Sequence, residues 1–92
     1  MKYVVFKVKD DAKQHPGEEL LFAFPSSVDH DRMVEACQAI RFGSDRTWDR
    51  LFFQAEPIAA GFINSHGECH GRSETLDIAS RGEVDTKLLE AM

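Results

Sequence analysis

The chain is poor in residues that mark special environments. Among 92 residues it has two cysteines, three prolines, one tryptophan and one tyrosine. Cys37 and Cys69 are enough for one bridge at most, and without an export signal they are expected to stay reduced, in the cytoplasm. The opening run Met1-Lys2-Tyr3-Val4-Val5-Phe6 is too short for the apolar core of a signal peptide and lacks a small-residue cleavage site. No apolar stretch approaches the roughly 20 residues needed to cross a bilayer, so no membrane association is expected. Positive charge is scarce as well: eleven Lys and Arg face sixteen Asp and Glu, a formal charge of −5. A field of that sign repels phosphate and disfavours general nucleic-acid or anionic-membrane binding.

What the chain does have is phenylalanine. Seven Phe within an apolar fraction of 42% supply large side chains for a core, and the mixed charges argue against disorder. At this length there is room for one core, so residues 1–92 are expected to form a single domain.

The segment from Lys2 to Lys9 alternates. Val4, Phe6 and Val8 share one face, and Tyr3, Val5, Lys7 and Lys9 the other, the pattern of a half-buried strand with Lys7 and Lys9 towards water. Pro16-Gly17 falls in a polar loop, and Leu20 to Phe24 reads as a second strand, antiparallel to the first because no crossover helix fits between them. A helix over about 30–42 follows. Asp29 is its expected N-cap, Val28 and Met33 have staple spacing, Met33, Ala36, Cys37 and Ile40 share one face, and Gly43 stands at the C-cap.

Ser44 to Arg50 is polar and reads as loop. Leu51-Phe52-Phe53 and Ile58 to Ile63 are strand-like, and Glu56-Pro57 argues against their being one strand. Asn64-Ser65-His66-Gly67 is a turn signal, with a return strand expected from Glu68 to Arg72. Ser80 and Glu83 have the spacing of a capping box, and Val84, Leu88 and Ala91 form the apolar stripe of a C-terminal helix. The order β-β-α-β-β-(β)-α lacks regular βαβ alternation. It predicts an α+β fold, a small antiparallel sheet packed against two helices on one face.

Three groups of residues offer chemistry. His66, Cys69 and His70 are zinc-ligand types at short spacing, with Cys37 or Glu68 to complete a set. Against this, strand neighbours such as Cys69 and His70 point to opposite faces, and no paired C-x-x-C accompanies them. The same Cys69, activated by a histidine, would be a nucleophile, but no orienting third group stands out. Trp48, flanked by Arg46 and Arg50, could stack on bases, though Asp45 and Asp49 dilute the charge. Arg72, Ser73 and Glu74, followed by Thr75, form a polar stretch suited to a small recognition surface or, more simply, to a turn capped by Ser73 or Thr75. G-x-S-x-G fails at Thr75, and no P-loop, G-x-G-x-x-G or H-E-x-x-H is present.

Ala60-Gly61-Phe62, then Gly71 through Leu76, then Ser80-Arg81 and Asp85, with Phe24-Pro25 and His30 upstream, resemble a pattern in small proteins of phage, prophage and bacterial genomes. The resemblance covers about a third of the positions. It implies a stand-alone domain of mobile-element origin, and no activity or catalytic residue.

Together these features favour a non-enzymatic binding or regulatory domain acting through protein–protein contact, its partner a different protein or a second copy of itself. No cofactor is expected. The competing reading is a metal-binding or cysteine-dependent enzyme centred on His66, Cys69 and His70, with zinc as its metal.

Overall fold

In a computed structural model of the chain, residues 1–9, 16–39 and 55–91 are described. The expected strand at Leu51-Phe52-Phe53, Gly43 and Ile40 of the helix, and the cluster of Trp48 with Arg46 and Arg50 lie outside these residues, as does the side chain of Cys37. The described elements are strand β1 (Lys2–Val8), strand β2 (Glu19–Phe24), helix α1 (His30–Ala39), strand β3 (Ala55–Ile63), the short strands β4 (Cys69–His70), β5 (Arg72–Ser73) and β6 (Ile78–Ala79), and helix α2 (Glu83–Glu90). β2, β1, β3 and β4 form one antiparallel sheet in that order, and β5 and β6 form a second, two-stranded sheet. This is the small α+β architecture expected from the sequence.

β1 is central, and that changes the reading of its alternation. Val4, Phe6 and Val8 pack with Phe24, Val34, Ala55 and Ala60 beneath α1. Tyr3 and Val5 do not face water; they pack with Leu21, Ala59 and Cys69 against Leu88 and Leu89 of α2. The strand is therefore buried on both faces from Tyr3 to Phe6 rather than half-buried, with Lys2 and Lys7 partly exposed at its ends and Lys9 exposed just beyond it. Each large apolar side chain so enclosed contributes about 1.5–3 kcal/mol. It follows that the two helices lie on opposite faces, not on one. The reason is compositional: β1 carries apolar side chains at both parities, and each set needs its own cover.

β3 runs unbroken from Ala55 through Pro57. The register slips between Val5, opposite Ala59, and Phe6, opposite Pro57, leaving Ile58 as the extra residue of a bulge. A bulge interrupts the hydrogen-bond ladder, and this is where a proline without an N–H is tolerated inside a sheet. Further along, Gly61 has no room for a side chain: a Cβ there would lie 2.4 Å from the His70 carbonyl oxygen.

Both helices depart from the expected facing. Among the described side chains of α1 the buried residues are His30 and Val34, one turn apart, whereas Ala36 is exposed. Val28 and Met33 do pack on the same core, as a staple would. In α2, Val84 is 55% exposed and Ala91 is exposed, while Asp85 is fully buried beside Leu88 and Leu89. The helix is rolled by about one residue, and an acid replaces a valine in its inward stripe.

That roll also displaces the capping box. Gly82 precedes the first turn of α2 at φ 60°, without a side-chain cap. Ser80 Oγ instead accepts from the Gly82 amide at 2.9 Å and meets the Tyr3 hydroxyl at 2.5 Å. Asp85, not Glu83, reaches back to a preceding amide, that of Arg81 at 2.9 Å. Glu83 is left on the surface with Lys87 at 3.4 Å.

Candidate functional site

The four-stranded sheet places Lys2 of β1 between Phe24 of β2 and Phe62 of β3, a cross-strand row on the α1 face. The first residue of α1 covers this row. The His30 ring is 4% exposed and stands edge-on to Phe24, with centroids 5.4 Å apart, and to Phe62, 5.6 Å apart. Its Nε2 lies 2.9 Å from the carbonyl oxygen of Gly61. A carbonyl only accepts, so Nε2 carries the proton, and in the neutral ring Nδ1 is left as an acceptor. Among the described residues Nδ1 has no hydrogen-bond partner.

The hairpin of β5 and β6 closes the other side. Ser73 is fully buried, and its Oγ accepts from the Leu76 amide at 3.2 Å and sits 3.3 Å from Thr75 Oγ1. Asp77 adopts φ 55°, a left-handed conformation that aspartate tolerates and that a tight turn requires. The hairpin is pinned to α1 by a bond across 44 residues, in which the Asp31 amide donates to Thr75 Oγ1 at 3.3 Å. Thr75 thus takes the capping task expected of Asp29. The Asp29 carboxylate turns instead towards Lys2, 3.8 Å from Nζ, while Nζ donates to the Val28 carbonyl at 3.1 Å.

Between these parts lies a cleft of about 230 Å³. Phe62 and His30 form its walls, Lys2 and Asp29 one end, and Arg72, Glu74 and Thr75 the hairpin side. Lys2 is matched with Asp29, and Arg72 forms an ion pair with Asp77. Glu74 is exposed and has no ion-pair partner among the described residues. Of the recognition stretch read from sequence, Arg72 and Glu74 reach the cleft, whereas Ser73 is the buried pivot of the turn. Lys2, Asp29 and Phe62 were not foreseen there. Their convergence depends on strand register, which local spacing does not encode.

On the opposite face the buried polar groups are fully engaged. The Tyr3 hydroxyl lies 2.6 Å from Asp85 Oδ2, to which it donates its single proton, and accepts from Ser80. Arg81 Nε binds Asp85 Oδ1 at 2.7 Å, and its far nitrogen binds Glu19 at 2.8 Å. Burial, followed by the Asp85 carboxylate, pushes the Tyr3 phenol well above its ordinary range. The Arg81 guanidinium holds the Glu19 carboxyl below its ordinary value.

His66, Cys69 and His70 are not brought together. Asn64 Oδ1 accepts from the His66 and Glu68 amides at 2.9 and 3.0 Å, which builds the expected turn and leaves the His66 side chain exposed. Cys69 is buried under α2, where its amide donates to Thr86 Oγ1 at 2.9 Å. His70 is exposed, tilted against Phe62. Among the described residues no three His, Cys, Asp or Glu side chains converge as a metal site would need. Burial pushes the Cys69 thiol up, away from the thiolate a nucleophile requires. No helix among the described residues is long and apolar enough to cross a membrane.

No family model, curated protein or solved structure matches the chain.

Proposed function

We propose that this protein is a small non-enzymatic binding domain that acts through protein–protein contact, and that the cleft between α1 and the β5–β6 hairpin is where a partner's side chain enters. The observation that carries this reading is the construction of the cleft. Parts far apart in sequence (Lys2, His30, Phe62 and Glu74) are fixed around one opening by the sheet register and by the Thr75 bond to α1. An aromatic wall with a few placed polar groups is the usual make-up of a recognition pocket. Its small size suits one side chain rather than a large cofactor.

A metal-dependent or cysteine enzyme at His66, Cys69 and His70 has less support, since those groups diverge and the thiol is raised. The test is to select peptides from a displayed random heptapeptide library on the immobilised chain and to compare their binding to Glu74→Tyr, which crowds the mouth of the cleft from an exposed turn. Loss of binding in that variant is the expected result. Selected peptides that bind it as well as the parent would place the contact elsewhere.

A further inference from the structure

We infer that the cleft takes the guanidinium of an arginine side chain from a partner protein. This rests on the reading of the cleft as the contact site and goes further by assigning the chemistry of what enters. The charges lining the cleft largely cancel. Lys2 is matched with Asp29 and with the Val28 carbonyl, and Arg72 is matched with Asp77. Both cations that line the cleft therefore have a carboxylate partner within the fold. The Glu74 carboxylate on the hairpin side has no ion-pair partner among the described residues, and His30, whose Nδ1 the Gly61 carbonyl leaves with its lone pair in the neutral ring, lines the same cleft.

His30 is 96% buried by the complement of its 4% exposure, so this acceptor is one that bulk water serves poorly. A buried acceptor without a partner is costly, and a donor from a ligand removes that cost. Phe62 adds an aromatic ring at the same opening, and such a ring attracts a cation. A guanidinium fits all three features at once. It has five N–H donors in a fixed fork, it accepts nothing, and its plane lies readily on an aromatic ring. A carboxylate or phosphate would instead meet the unpaired Glu74 carboxylate, with Lys2 and Arg72 already paired to Asp29 and Asp77. The formal charge of −5 acts in the same direction by drawing basic partners towards the chain.

The test uses the whole 92-residue chain and three end-blocked tripeptides, Gly-Arg-Gly, Gly-citrulline-Gly and Gly-Glu-Gly, titrated while backbone amide resonances are followed by NMR. Citrulline keeps the shape of arginine and removes its charge. The expected result is a saturable shift of the amides of Asp31, Phe62, Glu74 and Thr75 with the arginine peptide, at about fivefold higher affinity than the citrulline peptide, as a single exposed charge contact allows. Glu74→Gln should lower the arginine affinity by about the same factor, whereas Glu83→Gln on α2 should leave it unchanged, separating the cleft from the general field. If the citrulline or glutamate peptide shifts the same amides with equal or greater affinity, the arginine assignment falls and the cleft stands as a contact site. If none of the three shifts those amides, both fall together.

Discussion

The two faces of the sheet are held by different kinds of interaction. Beneath α1 the contacts are aliphatic and aromatic: Val4, Phe6, Phe24 and Val34, with His30 edge-on to two phenylalanines. Beneath α2 the apolar contacts are joined by a closed polar chain running from Glu19 through Arg81 and Asp85 to Tyr3 and Ser80. Every member of that chain is matched, so its groups are committed to the fold. Among the described residues, His30 Nδ1 and the Glu74 carboxylate are left unmatched at the margin of the core on the α1 face. A domain this small can seal one side with ionic bonds and leave its open chemistry to the other.

The sharpest way to break this contrast is Asp85→Ala. It removes two bonds to Arg81 and one to Tyr3 and leaves buried polar groups without partners. Deleting one member of a buried ionic network costs about 3–5 kcal/mol, a large part of what a domain of this size has. Denaturant unfolding should show a large drop in midpoint. A loss below about 1 kcal/mol would mean that the network is dispensable. On the other face, His30→Leu removes one bond, to the Gly61 carbonyl, and keeps an apolar side chain over the phenylalanines. The expected loss by the same measurement is smaller, about 1–2 kcal/mol. Equal losses from the two substitutions would erase the distinction between the faces.

How far the sequence reveals this arrangement follows from where the determining contacts lie. β1, β2, the Asn64 turn and the start of α1 are set by neighbours within a few positions, by alternation, turn residues and staple spacing, and they are readable. The inward face of α2 is not. Periodicity ranks Val84 above Asp85 for the core, and what reverses that order is Tyr3, 82 residues away. The same holds for the cleft. Glu74 and Arg72 stand out as polar residues in a short stretch, but Lys2 and Phe62 join them only through the register of β1 and β3. Local pattern sees propensity; it does not see partners.

The polar face should also answer to pH, in opposite directions at its acid and alkaline ends. The Tyr3 phenol and the Cys69 thiol both have folded-state pKa values above their ordinary 10.0 and 9.0, chiefly through burial. Their neutral forms are favoured by folding, so that stabilisation is complete below the ordinary values and is lost as pH rises past them. Glu19 runs the other way. Its bond to Arg81 lowers its pKa, so its contribution is present above the ordinary carboxyl value and is lost as pH falls through the folded one. Melting temperature should therefore decline on the alkaline side from about pH 9 upward. Tyr3→Phe, which keeps the ring and costs about 1 kcal/mol at neutral pH, should make that alkaline decline shallower. An unchanged alkaline slope in Tyr3→Phe would remove the phenol from the account.

The smallest expected effect is also the most direct check on the roll of α2. Val84 has the spacing of a core residue, yet it is 55% exposed, while Asp85 beside it is fully enclosed. Val84→Lys places a charged, strongly helix-forming side chain at a solvent-facing position, and such substitutions fall within about 0.5 kcal/mol of neutral. If the helix instead faced the core through Val84, the same lysine would be driven into the apolar layer of Leu88 and Leu89, with the several-fold larger loss that burying a charge brings. Unfolding midpoints of Val84→Lys and Asp85→Ala, measured side by side, therefore decide which residue is inside, because the two orientations of α2 reverse their order.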